Sequence, residues 1–310
     1  MKKHISIILM LLAAAIWGFG FSAQKNLTEV STLTVIWSRN IIASAFLFLL
    51  LPLLDKARKT GRRLFRKNFI PDFNKRELIG GAMCGVVLAT ASAFQQYGIA
   101  DGTDAGKSAF ITALYVVIVP IIGLLLRRKP SINVIIGIPL AVVGFYLLCI
   151  NGAFTVSPSD MLVLICAFIF ALHIIVIDAF DKGTDGVRLS CVQFFVAFIC
   201  TLIISLIAEG APDMSAVFAS APALLSIVYL GIMSSGVAYT LQIVGQKGFD
   251  PSVASIILSL ESVFGVIGGA MVHGEVMTLK EYTGCAIVFL AVIISQMDFA
   301  KLTEKLKKCK

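Results

Sequence analysis

Apolar stretches of about 20 residues recur along the whole chain, and short polar connections separate them. A helix of about 20 residues crosses the ~30 Å hydrocarbon core of a bilayer, because each residue adds ~1.5 Å. The composition agrees, since 58% of the 310 residues are hydrophobic and only 14% are charged. Strands of an outer-membrane barrel would alternate polar and apolar residues, whereas these stretches are continuously apolar. The sequence therefore predicts an all-α integral membrane protein.

Ten stretches have the length of a membrane-spanning helix. They cover residues 5–24, 33–54, 77–98, 104–126, 131–150, 160–179, 188–208, 223–245, 251–272 and 279–298. The first one follows a short basic start, so a signal peptide is an alternative interpretation. The internal repeat described below favours a retained helix, because a cleaved leader would have no partner in the second half.

The basic residues are distributed unevenly between the connections. The net charge is +8, and with ten spans and a cytoplasmic N-terminus all but four of the 26 lysines and arginines fall on the cytoplasmic side. Such a bias follows the positive-inside rule. It predicts a multi-pass protein of the cytoplasmic (inner) membrane with both termini in the cytoplasm, and it argues against nucleic acid as the partner. The basic connection 56–69 could also bind anionic lipid, although topology alone accounts for it.

An internal repeat is the most informative feature of the sequence. A shift of 146 residues places several residues of the first half on similar ones in the second. The pairs are Gln96 on Gln242, Gly102 on Gly248, Asp104 on Asp250, Tyr115 on Glu261 and Gly123 on Gly269. A shift of 153 residues pairs the first span with the sixth, with Trp17 on Phe170, Gly20 on His173 and Lys25 on Asp178.

The two halves are predicted to cross the membrane in opposite senses, because each contains an odd number of spans, five. The charges agree: Lys129 ends the fourth span on the cytoplasmic side, and Glu275 ends the ninth outside. Inverted repeats of this kind are typical of secondary transporters, whose central site opens alternately to the two sides. The expected fold is therefore ten transmembrane helices in two inverted five-helix repeats around a central cavity.

The chain resembles the drug/metabolite transporter superfamily, specifically its ten-helix EamA-type members. AFQQYGIADGTDAGKSAFITALYVVIVPIIGLLL resembles the family's third-to-fourth helix unit, and SIILSLESVFGVIGGAMVHGEVMTLKEYTGCAIVFLAVII its ninth-to-tenth. Ser262 stands where the family often has proline, and Arg128 and Lys129 replace a frequent Gly-Glu. The resemblance implies EamA-like repeats at 1–150 and 151–298, a basic cytoplasmic tail at 299–310, and export of amino acids or related metabolites.

Glu261 is the acid that stands in the middle of an otherwise apolar span. An ionised carboxylate costs roughly 2.5–3.5 kcal/mol at the centre of a membrane helix, so such residues tend to face a cavity or a partner. We expect Glu261 to line the central cavity and to bind an amino group of the substrate or carry a coupling proton. A carboxyl that is hydrogen-bonded to Ser255, Ser262 or a neighbouring helix and fixes helix packing is the alternative.

Polar and aromatic residues at helical spacing extend the candidate cavity, because positions i, i+3, i+4 and i+7 share one helix face. The predicted lining is Trp17, Gln24, Gln96, Thr112, Tyr115, His173, Tyr239, Gln242 and Glu261. The aromatic residues could instead pack between helices, and His173 could be a hydrogen-bonded core residue. Arg39, inside the second span, could pair with Glu261 or serve as an anchor near the surface. Pro120 could mark a hinge in the fourth span.

Other functions are disfavoured by what the sequence lacks. Gly106-Lys107-Ser108 is not a nucleotide-binding loop, since its spacing is wrong and no strand precedes it. The seven cysteines are scattered without CxxC, and the three histidines have no acid at useful spacing. No enzyme activity, cofactor or metal site is therefore expected. We expect secondary active transport of a small organic metabolite, with protons as a candidate coupling ion. A passive facilitator or channel of the same fold is the first alternative, and a membrane-embedded enzyme is the second.

The topology can be tested with reporter fusions. Green fluorescent protein at either terminus should fluoresce and alkaline phosphatase there should be inactive, because both termini are predicted in the cytoplasm. Alkaline phosphatase fused within the first predicted outer connection, after Thr28, should be active and serves as the control. Opposite reporter activities at the two termini would rule out an even number of spans.

Overall fold

The computed structural model describes residues 3–57, 73–103, 105–128, 130–149, 156–210, 214–218, 220–273 and 278–296. Several predictions fall outside this described part of the chain. They concern most of the basic connection 56–69, the tail 299–310, and the residues Asp104, Lys129 and Glu275.

All regular structure in the described ranges is helical. The elements are α1 (Lys3–Lys25), α2 (Thr32–Ala57), α3 (Lys75–Ala100), α4 (Ala105–Ala113), α5 (Tyr115–Leu125), α6 (Ile132–Cys149), α7 (Pro158–Ala179), α8 (Gly186–Ala208), α9 (Ser215–Phe218), α10 (Ala221–Tyr229), a π-helix (Leu230–Ala238), α11 (Tyr239–Gln246), α12 (Pro251–Leu258), α13 (Glu261–His273) and α14 (Leu279–Gln296). The integral membrane, all-α class is thereby supported.

Eight helical segments in the described ranges are long and apolar enough to cross a membrane. They are Lys3–Lys25, Thr32–Asp55, Lys75–Ala100, Lys107–Leu125, Pro158–Ala179, Gly186–Ala208, Ala221–Gln246 and Pro251–Val272. The fifth predicted span holds a shorter apolar helix, Ile132–Leu147, and the tenth coincides with α14. The count of ten crossings therefore stays a prediction.

Polar residues in the connections determine where helices begin. Asn74 accepts a hydrogen bond from the backbone of Glu77, whose carboxylate accepts one from the Asn74 backbone. Ser157 and Asp160 form the same reciprocal capping box at the start of α7. These boxes satisfy backbone N–H groups that the first turn of a helix leaves without partners, and they mark where the connections before α3 and α7 end.

The helix contacts occur in corresponding sets in the two halves. Helix α1 packs against α11, α12 and α13, and α7 packs against α3, α4 and α5. Helices α2 and α8, the second spans of each half, pack against each other, as do α6 and α14, the fifth spans. A structural repeat would produce these correspondences. They support the predicted pairing of spans one to five with spans six to ten, while the inversion itself stays a prediction.

The fourth and ninth spans are each interrupted near the middle. Leu114 separates α4 from α5, and Ser259–Leu260 separates α12 from α13. The shift of 146 residues that defines the repeat places Leu114 on Leu260. Both breaks contain tightened turns, with Val117 N donating to Leu114 O at 2.9 Å and Ser262 N to Ser259 O at 3.2 Å. Pro120, the predicted hinge, lies within α5 and not at the break.

The third spans of the two halves differ in helix type. In the second half the backbone widens into the π-helix Leu230–Ala238, whereas α3 is α-helical throughout. A π-helix of this length is unusual, and short ones often occur at functional sites. Here the Ser234 carbonyl accepts a hydrogen bond from Trp17 Nε1 at 3.0 Å, which joins the widened segment to α1.

Glycine 81 allows α3 to approach α8 closely. A Cβ atom at Gly81 would lie 2.6 Å from Val192 Cβ and 2.9 Å from the Leu189 carbonyl oxygen. Both distances are shorter than van der Waals contact, so any side chain at residue 81 must push the helices apart. Small residues let membrane helices approach closely, and Gly81 does so here.

Gly81→Ala should lower the free energy of unfolding by about 1–3 kcal/mol, because overpacking forces helices to shift. Thermal unfolding of the purified protein in detergent micelles measures the change. Gly123→Ala is the matched control, because a Cβ there meets nothing closer than 3.9 Å, and it should leave the Tm unchanged or slightly higher. Equal Tm values for the two variants would contradict close packing of α3 on α8.

Candidate functional site

A cavity lies between the two halves, where the breaks of the fourth and ninth spans meet α1, α7 and the π-helix. It is lined by Trp17, Gly20, Phe21, Gln24, Arg39, Gln95, Thr112, Tyr115, Phe170, His173, Ile174, Leu230, Ser234, Tyr239, Gln242, Leu258 and Glu261. The space open to the centre of a water molecule is about 50 Å³, enough for on the order of four waters. Its walls combine aromatic rings with amide, hydroxyl and charged groups.

Glu261 and Tyr115 stand at equivalent positions of the two broken spans. Each is the first residue after its break, at the start of α13 and α5 respectively. Both are buried, with 6% and 4% of their surface exposed. Their side chains interact electrostatically, although neither the Tyr115 hydroxyl nor Glu261 Oε1 forms a hydrogen bond of ordinary geometry. The breaks therefore present a carboxyl and a phenol to the same cavity.

The hydroxyl groups of Ser262, which follows Glu261 in the chain, and of Ser255 form hydrogen bonds with backbone carbonyls. The Ser262 hydroxyl donates to the Ala109 carbonyl of α4 at 3.0 Å, and the Ser255 hydroxyl donates to the Ser252 carbonyl at 2.8 Å. Neither serine hydroxyl therefore donates to the Glu261 carboxyl, and of the packing alternative only a contact with a neighbouring helix, such as that with Tyr115 of α5, is left. The Ser262 bond instead ties the two broken spans together close to their breaks.

An aromatic wall forms around Tyr239. Its ring centroid lies 4.6 Å from that of Trp17 and 5.7 Å from that of His173, which it meets edge-on. The His173 Nε2 atom is hydrogen-bonded to Gln193 Oε1 at 3.0 Å. Contacts between aromatic rings at these distances fix ring orientation. The wall thus offers a rigid apolar surface beside the polar groups.

Three polar side chains form a chain at one end of the cavity. Gln24 Nε2 donates to Gln95 Oε1 at 3.3 Å, and Gln95 Nε2 donates to the Thr112 hydroxyl at 3.1 Å. The predicted residue on α3 was Gln96, which does not belong to the lining. Successive helix residues are ~100° apart, so Gln96 points away from the cavity, and both polar atoms of its buried amide are without a hydrogen-bond partner.

Arg39 contributes a buried guanidinium to the cavity. Its Nε donates to the Ser235 hydroxyl at 2.9 Å and its Nη2 is 3.4 Å from the Ser234 hydroxyl. Only 6% of the residue is exposed, so it does not extend to the surface. The ion pair with Glu261 considered from the sequence is not formed, since none of the ion pairs between described residues includes Arg39.

The structure thus brings nine of the ten predicted residues to one cavity, all except Gln96. Gln95 and Ser234 were missed, although a polar side chain in an apolar span was a usable signal for both. No group of three His, Cys, Asp or Glu side chains that could hold a metal ion occurs within the described ranges.

Comparison with known proteins identifies relatives. The model of the EamA-like transporter family matches the chain twice, at residues 4–150 and 157–297. A protein of Archaeoglobus fulgidus described as an uncharacterized transporter is 30% identical over 230 residues, which cover 73% of this chain and 71% of that protein. A second uncharacterized transporter of that organism is 23% identical over 296 residues, covering 94% and 97%. One crystal structure has a TM-score of 0.72 at 14% identity, over 94% of this chain and 96% of the other.

Cysteine labelling can test which face of α3 meets the cavity. In a variant whose seven cysteines are replaced, Gln95→Cys should react with a small charged methanethiosulfonate, because residue 95 lines the cavity. The adjacent Gln96→Cys is the matched control and should react at least about tenfold more slowly. Equal labelling rates in proteoliposomes would contradict the described orientation of α3.

Proposed function

The chain belongs to the EamA-like transporter family, and from that premise we propose that it is a secondary active transporter of a small organic metabolite. The proposed cycle is alternating access around the cavity that contains Glu261. Its proposed location is the cytoplasmic (inner) membrane, with both termini in the cytoplasm. Family resemblance favours export of amino acids or related amphiphilic solutes.

The observation that carries this proposal is the pair of broken spans at the cavity. Breaks at Leu114 and Leu260 are related by the repeat shift, and each is followed at once by a cavity residue. Local departures from α-helical hydrogen bonding within a span are a recurrent feature of transporter sites, where a cavity or a neighbouring helix accommodates them. Two equivalent breaks give two equivalent places at which the walls can rearrange.

A passive facilitator of the same fold is the alternative, and it would move the solute without using a gradient.

Glu261 is the proposed coupling and amine-binding residue. Its carboxyl is enclosed in the cavity and Oε1 has no hydrogen-bond partner, so a substrate ammonium or a proton can occupy it. A proton gradient that alternately loads and empties this carboxyl would drive the substrate against its own gradient. Protons are therefore the proposed coupling ion.

Glu261→Gln should abolish proton-driven accumulation, because an amide cannot gain or lose a proton in the physiological range. Proteoliposomes are first screened with amino acids and biogenic amines, and accumulation of the best substrate is then measured with and without an imposed pH gradient. Wild-type protein should accumulate it above equilibrium, and the variant should reach equilibrium at most.

Glu281→Gln is the control, since Glu281 caps the start of α14 outside the cavity and should leave accumulation unchanged. Unchanged accumulation and pH dependence in Glu261→Gln would remove Glu261 from the coupling mechanism. Wild-type flux that never exceeds equilibrium under any ion gradient would instead identify a passive facilitator.

A further inference from the structure

We propose that the substrate is a zwitterion whose carboxylate binds Arg39 and whose ammonium binds Glu261, within the cavity that both residues line. This assignment rests on the proposed transport function and makes it more specific. An organic cation would satisfy the acid alone, and an organic anion would satisfy the arginine alone. The contacts of Arg39 and Glu261 indicate that the substrate binds both charged side chains.

Arg39 is a buried cation that forms no ion pair with any described residue. Its hydrogen bonds are to the neutral hydroxyls of Ser234 and Ser235. Two other basic groups do pair with acids: Arg188 is 2.5 Å from Asp55, and Lys107 is 2.5 Å from Asp160. Isolated buried charges are unfavourable unless a partner compensates them. An anionic group of the substrate would supply the missing partner.

Hydrogen bonds to the π-helix orient the Arg39 guanidinium so that it can bind a carboxylate. Ser234 and Ser235 belong to the π-helix, whose widened turn is also bonded to Trp17. The serines engage Nε and Nη2 of Arg39, and a guanidinium has five N–H donors in a planar fork. Donors therefore remain for a carboxylate, which such a fork binds through two parallel hydrogen bonds.

Glu261 is the acidic residue of the same cavity. Arg39, Tyr239 and Glu261 all line it, and none of the ion pairs between described residues joins Arg39 to Glu261. A solute placed against Tyr239 can extend an anionic group toward Arg39 and a cationic group toward Glu261, with its apolar part against Trp17 and Phe170.

Charge balance makes the zwitterion the best fit. A solute that carries only an ammonium leaves Arg39 uncompensated and adds a like charge to the cavity, and one that carries only a carboxylate leaves Glu261 unused. Charge pairs interact more strongly in this low-dielectric site than in water. Losing one charge-assisted contact should therefore weaken binding about ten- to a hundredfold.

A matched series of probes tests the assignment. Leucine is the zwitterion, leucinamide keeps only the ammonium, and 4-methylpentanoate keeps only the carboxylate. Phenylalanine, phenylalaninamide and 3-phenylpropanoate form a second series with a larger apolar group. Binding to purified protein is measured by thermal shift and calorimetry at pH about 6.5, where the amino group of each amide is mainly protonated.

For wild-type protein, the zwitterion of at least one series should bind about tenfold or more tightly than its amide and its des-amino analogue. Arg39→Gln should weaken zwitterion binding about ten- to a hundredfold and leave amide affinity unchanged or higher, because a like charge is removed. Glu261→Gln should weaken zwitterion binding to a similar extent and leave the affinity of the des-amino acid unchanged or higher. Arg39→Lys keeps the charge without the fork and should recover part of the affinity.

Arg188→Gln is the structural control, because Arg188 is buried and paired with Asp55 outside the cavity. It should lower the Tm without changing the order of the three probes. Size-exclusion chromatography and the Tm show whether each cavity variant is folded. If Arg39→Gln does not fold, Ser235→Ala removes the 2.9 Å support of Arg39 and should selectively weaken the zwitterion and the des-amino acid.

Two results would overturn the zwitterion assignment. In the first, Arg39→Gln weakens the amide as much as the zwitterion, which indicates a structural role. In the second, wild-type protein prefers the amides or binds none of the six probes. Proton-driven transport of an amide or another amine would still uphold the proposed function, so the two proposals fail on different measurements.

Discussion

The absence of water from the bilayer core determines where this chain can place polar atoms. Each unpaired backbone or side-chain polar group in hydrocarbon costs several kcal/mol, so the spans are helical and their lipid-facing surfaces are apolar. Polar side chains are concentrated inside, as the buried Arg39, His173, Gln242 and Glu261 show. Breaks in a helix obey the same constraint. Those at Leu114 and Leu260 are accommodated because they adjoin the cavity and because tightened turns pair the freed backbone groups.

The two halves share an arrangement of helices but differ in the residues that line the cavity, and these two properties have different roles. The matching contacts of α1 and α7, together with the two equivalent breaks, suit a protein that exchanges two conformations of similar energy. The chemistry of the cavity is not symmetric: Tyr115 corresponds to Glu261, and the π-helix that holds Arg39 has no counterpart in α3. The matching arrangement of the halves thus suits the exchange between two conformations. The residues that differ between the repeats give the cavity a separate positive and a separate negative group.

Much of this arrangement could be predicted from the sequence, because membrane solvation makes composition unusually informative. Glu261 and Tyr115 were found through their polarity and the 146-residue shift, and both line the cavity.

The breaks were not predicted, since neither Leu114 nor Leu260 is a glycine or proline and the visible candidate, Pro120, lies inside α5. Gln95 was missed in favour of Gln96 because the repeat aligned residue types, whereas the lining depends on a helix rotation of ~100° per residue. The π-helix likewise depends on tertiary contacts.

The buried charges of the cavity connect its energetics to the proposed transport cycle. Arg39 and Glu261 are each 6% exposed, so water solvates them poorly, and Arg39 relies on two serine hydroxyls. A buried charge without an opposite partner is unfavourable in free energy relative to a compensated one. A ligand that compensates these charges stabilises the closed cavity most, because the attraction strengthens as water leaves. Differential affinity of this kind is what allows a ligand to shift a conformational equilibrium. The substrate itself would then favour closure of the walls around it, and the two broken spans are the segments whose rearrangement would open them again.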